Sequence, residues 1–207
     1  MKDSVSNIFI CCFLCYNNGS VFVNPGKIID DLSLLPQMAV ADFGCGSGHY
    51  VIEAARRVGK AGKVYAIDVQ KEMLGYVRSQ AASEGLSNIE TIWADLELAE
   101  ASRLKNDSID LIIISNILFQ AENKSQIAKE AHRILKKGGK TAIIEWDIEK
   151  QPVLSEGEAS GEPKAFGPAM DARISPQAAK DLFVEIGFAF EKEFNPGDHH
   201  YGIVFRK

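Results

Sequence analysis

From Met38 onward, short apolar runs alternate with stretches whose apolar positions recur every three to four residues. That alternation is the mark of parallel βαβ units. Ala39 to Phe43 predicts a first strand that ends in glycines, and Val51, Ile52, Ala55 and Val58 then share one face of a helix stopped by Gly59. Lys63 to Asp68 predicts a second strand. Met73, Leu74, Val77 and Ala81 mark a second amphipathic helix closed by Gly85, and Ile89 to Trp93 a short third strand. Ile109 to Ser115 is apolar almost without a break, as expected of a strand buried on both faces in mid-sheet. Ile127, Ala128, Ala131, Ile134 and Leu135 predict the next helix, with Lys136 and Lys137 near its negative end. Gly138-Gly139 then turns the chain into a fifth strand from Lys140 to Trp146.

Residues 149 to 172 are rich in Glu, Gly, Pro and Ser and show no period. They predict a long surface loop, of a length that often covers a functional site. Ser175 and Pro176 suit the N-cap and first position of a last helix, with Leu182, Phe183 and Ile186 inward and Gly187 at its end. Phe188 to Phe194 and Tyr201 to Arg206 read as strands of an antiparallel hairpin around Asn195-Pro196-Gly197-Asp198.

Before this pattern, Ile8 to Tyr16 is apolar but far too short to span a bilayer. Asp3 and the lack of a small-residue cleavage pattern argue against a signal peptide. Residues 1–23 are therefore expected to be an N-terminal extension, residues 24–207 one domain, and the protein cytoplasmic. Four cysteines are present, and Cys12 and Cys15 form a C-x-x-C with no second pair at zinc spacing, so free thiols and no metal are expected.

Apolar residues make up 46% of the 207 and the formal net charge is −5. The charge argues against a protein held to nucleic acid mainly by a basic face. A small or uncharged partner fits more readily, with a nucleic-acid or protein acceptor left open.

The chemistry concentrates in Asp42-Phe43-Gly44-Cys45-Gly46-Ser47-Gly48, directly after a strand and before a helix. Glycines there let the backbone turn sharply and approach a ligand without Cβ interference. The spacing is D-x-G-x-G-x-G rather than G-x-G-x-x-G, because His49 stands where a third glycine would be. Asp68 ends the second strand, where an acid can accept both hydroxyls of a ribose; capping the following helix is the structural alternative. Asp95, two residues past the third strand, suits the exocyclic amine of adenine, with Leu96 or Val69 against the ring. An exposed loop acid is the other reading.

These residues resemble the class I S-adenosylmethionine (SAM)-dependent methyltransferases from about Val40 to Trp146. The glycine loop is similar to that family's first motif, Asp68 to its ribose acid, and Ala94-Asp95-Leu96 to its adenine-side motif. Asp110 to Asn116 looks like its fourth-strand motif, and Arg133 to Lys140 like the helix–turn–strand that follows. The likeness is greatest to the branch related to ubiquinone/menaquinone-biosynthesis and arsenite methyltransferases. It implies a Rossmann-like α/β fold: a doubly wound, mostly parallel seven-stranded sheet with an antiparallel C-terminal strand and helices on both faces. It also implies SAM as cofactor, held by Asp42, Gly44, Cys45, Gly46, Gly48, Asp68, Val69, Asp95, Leu96 and Ser115.

On the acceptor side the candidates are Asn116, Phe119, Glu145, Trp146, Arg173 and Tyr201. His199 and His200 are candidate bases, since imidazole titrates near neutrality; a turn histidine or a structural hydrogen bond is the alternative for either. Ser115 to Phe119 lacks the N-P-P-Y pattern of enzymes that methylate amino groups of bases or glutamine. No cysteine follows Cys45, which argues against arsenic as substrate. A non-catalytic SAM-binding module stays open, and so does a nicotinamide-dependent oxidoreductase, although it would lack a Tyr-x-x-x-Lys.

Overall fold

The computed structural model describes residues 23–150, 153–155 and 164–207. The expected N-terminal extension lies, apart from Val23, outside the described residues, and with it Cys11, Cys12 and Cys15. The chain runs α1 (Pro25–Asp31), β1 (Ala39–Phe43), α2 (His49–Val58), β2 (Lys63–Asp68), α3 (Lys71–Ser83), β3 (Ile89–Trp93) and β4 (Ile109–Ser115). It continues through α4 (Lys124–Ile134), β5 (Leu135–Trp146), β6 (Val153–Ser155), β7 (Lys164–Phe166), α5 (Pro176–Ile186), β8 (Ala189–Phe194) and β9 (His200–Arg206).

Seven strands form one sheet in the order β3-β2-β1-β4-β5-β9-β8. Strands β1 to β5 pair in parallel, and β9 runs antiparallel to both β5 and β8. This is the doubly wound sheet with an antiparallel final strand that the family resemblance implies. Along β4, Leu111 and Ile113 pack on one face with α1, α2 and α3, and Ile112 and Ile114 on the other with α4 and α5. All four are at most 3% exposed. At about 1.5–3 kcal/mol for each fully buried aliphatic side chain, this strand anchors both cores.

Three expectations are corrected. Helix α1 was not anticipated, yet its signals are present. Asn24 accepts a hydrogen bond from the Lys27 N–H as N-cap, Pro25 opens the first turn, and Ile28 and Ile29 are buried. Leu135 does not extend α4: it turns to extended backbone (φ −72°, ψ 135°) and pairs with Ile109, so β5 begins five residues before Lys140. Lys136 pairs with Asp110 (2.8 Å) instead of lying along a helix end. Finally, the stretch expected to be a structureless loop contains the β6–β7 hairpin, Val153 opposite Phe166. Three-residue strands are too short to show a two-residue alternation.

Candidate functional site

Strand order reverses between β1 and β4, and ligands of open α/β sheets settle in the crevice beyond the strand ends at that point. The bend leaving β1 is built from left-handed residues: Gly44 (φ 69°), Gly46 (φ 49°) and Gly48 (φ 89°). Residues with a Cβ avoid this region. The N–H groups of Gly44 and Cys45 both donate to the Ile67 carbonyl (2.8 and 3.0 Å), which folds the bend toward β2. A Cβ on Gly44 would stand 2.3 Å from Cγ2 of Ile117, and one on Gly48 2.7 Å from Cγ2 of Val77. The bend is therefore gripped between the turn after β4 and helix α3. Cys45 is buried, with its Sγ 3.7 Å from the Gly46 carbonyl. Gly48 is the N-cap of α2 and supplies no capping side chain.

Asp68 ties the neighbouring strand to this bend. Its Oδ2 accepts from the Gly46 N–H (2.9 Å) and its Oδ1 from the Gln70 N–H (2.8 Å). The carboxylate is thus fixed in place, and each oxygen keeps a lone pair for a ligand hydroxyl. Both readings of Asp68, helix entry and ribose acceptor, are compatible with one geometry.

Asp42 is 2% exposed, and its Oδ2 has no hydrogen-bond partner among the described residues. Burial, reinforced by the Asp68 carboxylate, pushes Asp42 up to about 8. Burial likewise raises Glu145 to about 8, against the pull of backbone N–H groups. A carboxyl raised in the folded state holds a proton that the unfolded chain has released, so stability falls as pH rises toward the folded value. His200, pushed down to about 3 chiefly by burial, acts in the opposite sense below its unfolded value of 6.5. The clean window is therefore about 6.5 to about 8. The urea midpoint should fall across it, and Asp42→Asn should flatten that fall.

At the tips of β2 and β3, Val69 is 57% exposed, and the Trp93 indole N–H donates to its carbonyl (2.8 Å). The Lys71 ammonium stands 4.0 Å from the centre of the Trp93 ring. Asp95 is exposed and accepts from the Glu97 N–H (3.0 Å). Of the two residues offered for the adenine ring, Leu96 is buried in the core on the α4 side of the sheet, and Val69 is open. The open apolar surface here belongs to Val69 and Trp93, and Trp93 was not singled out in the sequence.

Beyond β4 and β5, the Ser115 hydroxyl lies 3.5 Å from that of Tyr50. Asn116 takes a left-handed conformation (φ 57°) and its N–H returns to the Ile144 carbonyl (2.9 Å). Phe119 is half-buried. Glu145 has no exposed surface; its Oε1 accepts from the N–H groups of Ile117 (3.0 Å) and Leu118 (2.7 Å). Trp146 is buried, its ring centre 4.3 Å from that of His200. Arg173 donates from Nε to the Pro168 carbonyl (3.2 Å) and from Nη1 to those of Asp147 and Lys150 (2.6 and 2.7 Å), while its buried Nη2 has no partner among the described residues. The Tyr201 hydroxyl donates to the Ile174 carbonyl (3.0 Å).

The sheet thus brings the cofactor candidates together at the tips of β1, β2 and β4. It sets His199 and His200 at the start of β9, on the same edge but about 14 Å from β1 at ~4.8 Å per strand. His200 is 4% exposed and held neutral by its surroundings, which suits a packing role better than proton transfer. A groove of about 810 Å³ opens between the starts of α4 and α5, lined in part by Lys124, Ile148, Arg173, Ser175 and Leu182. Among the described residues, no cluster of His, Cys, Asp or Glu could hold a metal, and no helix is long and apolar enough to cross a membrane.

Comparison with known proteins matches residues 34–183 to a family model described as a methyltransferase domain. The ubiquinone/menaquinone biosynthesis C-methyltransferase of Hydrogenovibrio crunogenus is 31% identical over 121 residues, which are 58% of this chain and 47% of that protein. The aklanonic acid methyltransferase of Streptomyces sp. is 32% identical over 153 residues, 73% of this chain and 63% of the relative. The chain spans about half the length of the first curated relatives it matches. A SAM-dependent methyltransferase from Aquifex aeolicus has the same fold, with a TM-score of 0.75, 24% identity and 89% of each chain covered.

Proposed function

The chain belongs to the methyltransferase-domain family, and from that premise we propose that it transfers a methyl group from SAM to a small, quinone-like ring acceptor. The observation that carries the reading is the joining of the glycine bend to Asp68 through the Gly46 N–H. One carboxylate, held by the bend itself, stands where a ribose would lie over side-chain-free backbone.

The residues present fit an adenosyl group and a methionine tail. Gly44, Cys45, Gly46 and Gly48 supply backbone without side-chain obstruction, and Asp68 accepts the ribose hydroxyls. Val69 and Trp93 offer the open apolar surface for adenine, and Asp95 its polar edge. The buried, partnerless Asp42 oxygen leaves an unused polar group at the foot of the bend. When bound, SAM supplies a methyl already made electrophilic by its sulfonium, so the protein's task is chiefly to align donor and nucleophile.

The acceptor class rests on two supports. The relatives' names place a C-methyltransferase of quinone biosynthesis among the similar proteins, and the net charge of −5 disfavours a polyanion. Asn116 and Phe119, beyond β4, lie toward the acceptor. Trp146 and His200, both buried, form the layer behind it, and Arg173 lines the groove between α4 and α5. We take residues 24–207 to be the catalytic unit.

The test is accumulation of S-adenosylhomocysteine with a panel comprising a reduced quinone lacking its ring methyl, a peptide and a transfer RNA. Product with the reduced quinone is expected. Product with RNA alone would overturn the acceptor class, and none with any acceptor despite tight SAM uptake would favour a non-catalytic binding module.

A further inference from the structure

Glu145 stands at the tip of β5, fully buried, yet its hydrogen-bond partners belong to another strand's exit. Its Oε1 takes the N–H groups of two consecutive residues, Ile117 and Leu118, and the Phe119 N–H adds a weaker pull on the same carboxyl. Consecutive N–H groups converging on one oxygen form a small concavity, here filled by the accepting carboxyl oxygen of the protein's own side chain. The turn needs it. Asn116 is left-handed (φ 57°) and its own N–H goes to the Ile144 carbonyl; the next two N–H groups are the ones that Glu145 accepts.

What this turn carries is Ile117, whose Cγ2 lies directly over Gly44, 2.3 Å from where a Cβ would be. The Gly44 bend in turn reaches Asp68 through Gly46. A continuous chain of contacts therefore runs from β5 through the β4 exit to the cofactor loop.

We propose that Glu145 is a positioning residue for cofactor capture: by clamping the turn after β4, it sets where Ile117 presses on the glycine bend. The inference rests on the SAM reading above, but the clamp itself has a ligand-independent signature.

Glu145→Gln keeps an accepting oxygen at the same reach. Glu145→Asp keeps the carboxyl group but withdraws it by roughly one bond, about 1.5 Å. S-adenosylhomocysteine should bind Glu145→Gln within about threefold of wild type and Glu145→Asp at least tenfold more weakly. Ile117→Ala should cost severalfold alone and nothing further in the Glu145→Asp background, because the two act through one contact. Independently of ligand, Glu145→Asp should speed hydrogen exchange at the Gly44 to Gly48 amides. Equal affinity of the Asp variant and wild type, or additive losses, would overturn the clamp. If the wild type bound no S-adenosylhomocysteine, the cofactor reading would fall, and exchange at the bend would decide the clamp alone: unchanged rates in Glu145→Asp refute it.

Discussion

Asp68→Ala should weaken SAM and S-adenosylhomocysteine uptake at least a hundredfold while leaving a folded protein. In the proposed complex the carboxylate accepts two ribose hydroxyls, and hydrogen bonds to a charged group contribute about 1.5–3 kcal/mol each. At about 1.4 kcal/mol per tenfold, losing both removes two or more orders of magnitude. The same side chain accepts from Gly46 and Gln70, so the bend also loses its tie to β2. Asp68→Asn separates these contributions. It keeps one carbonyl oxygen for one backbone N–H but sets its amide group against the other, so it should unfold no earlier than Asp68→Ala while still losing most of the affinity. Removing the Asp68 charge should also lower the pKa of Asp42, whose elevation it reinforces. Isothermal calorimetry of the three proteins is the measurement, and equal affinities would refute the ribose role.

Gly44→Ala should be the most destabilising single methyl in the site. The left-handed conformation costs an L residue about 1–2 kcal/mol, and forcing a methyl into a filled space about 1–3 kcal/mol more. A loss of roughly 3 kcal/mol would lower the melting temperature of a chain this size by about 10 °C. Gly59 is the internal control. Its φ is also +69°, although its ψ is −179°, and nothing lies within 4 Å of its would-be Cβ. Gly59→Ala should therefore show a backbone cost alone, and the contact with Ile117 is read from the double variants. Adding Ile117→Ala should restore part of the loss in Gly44→Ala and none in Gly59→Ala. Thermal unfolding of these variants provides the comparison.

Much of the architecture was legible because the physics was local. The unbroken apolar run of β4 announces a strand with both faces buried, and the glycine-rich turn between a strand and a helix announces a backbone that must bend without side chains. Asp68 could be singled out because it ends a strand next to that turn. Less legible was anything decided by a distant partner. Leu135 continues the apolar period of α4, and only its pairing with Ile109 makes it strand. Glu145 reads as a carboxylate at a strand tip; that it serves the N–H groups of Ile117 and Leu118, 27 or 28 residues earlier, depends on the β4–β5 register. Arg173 reads as an acceptor-side candidate; that its Nε and Nη1 serve three carbonyls, two of them more than 20 residues earlier, depends on how the chain after β5 folds back. Leu96 and Val69 read as alternatives for the adenine face, and only the turn after β3, which buries Leu96 and leaves Val69 open, distinguishes their surroundings. Trp93 carried a usable signal, a large aromatic two positions before Asp95. The indole bond to the Val69 carbonyl, 24 residues earlier, is what sets it beside the tip of β2.

The central claim is that the bend after β1 and the acid at the tip of β2 together hold one adenosyl group. Titration of the folded wild-type protein with S-adenosylhomocysteine, run beside NADH and NADPH, tests it most directly. Saturable heat with the sulfur nucleoside and none with either dinucleotide is the predicted result. Uptake of a dinucleotide, or no heat from the sulfur nucleoside, would contradict it.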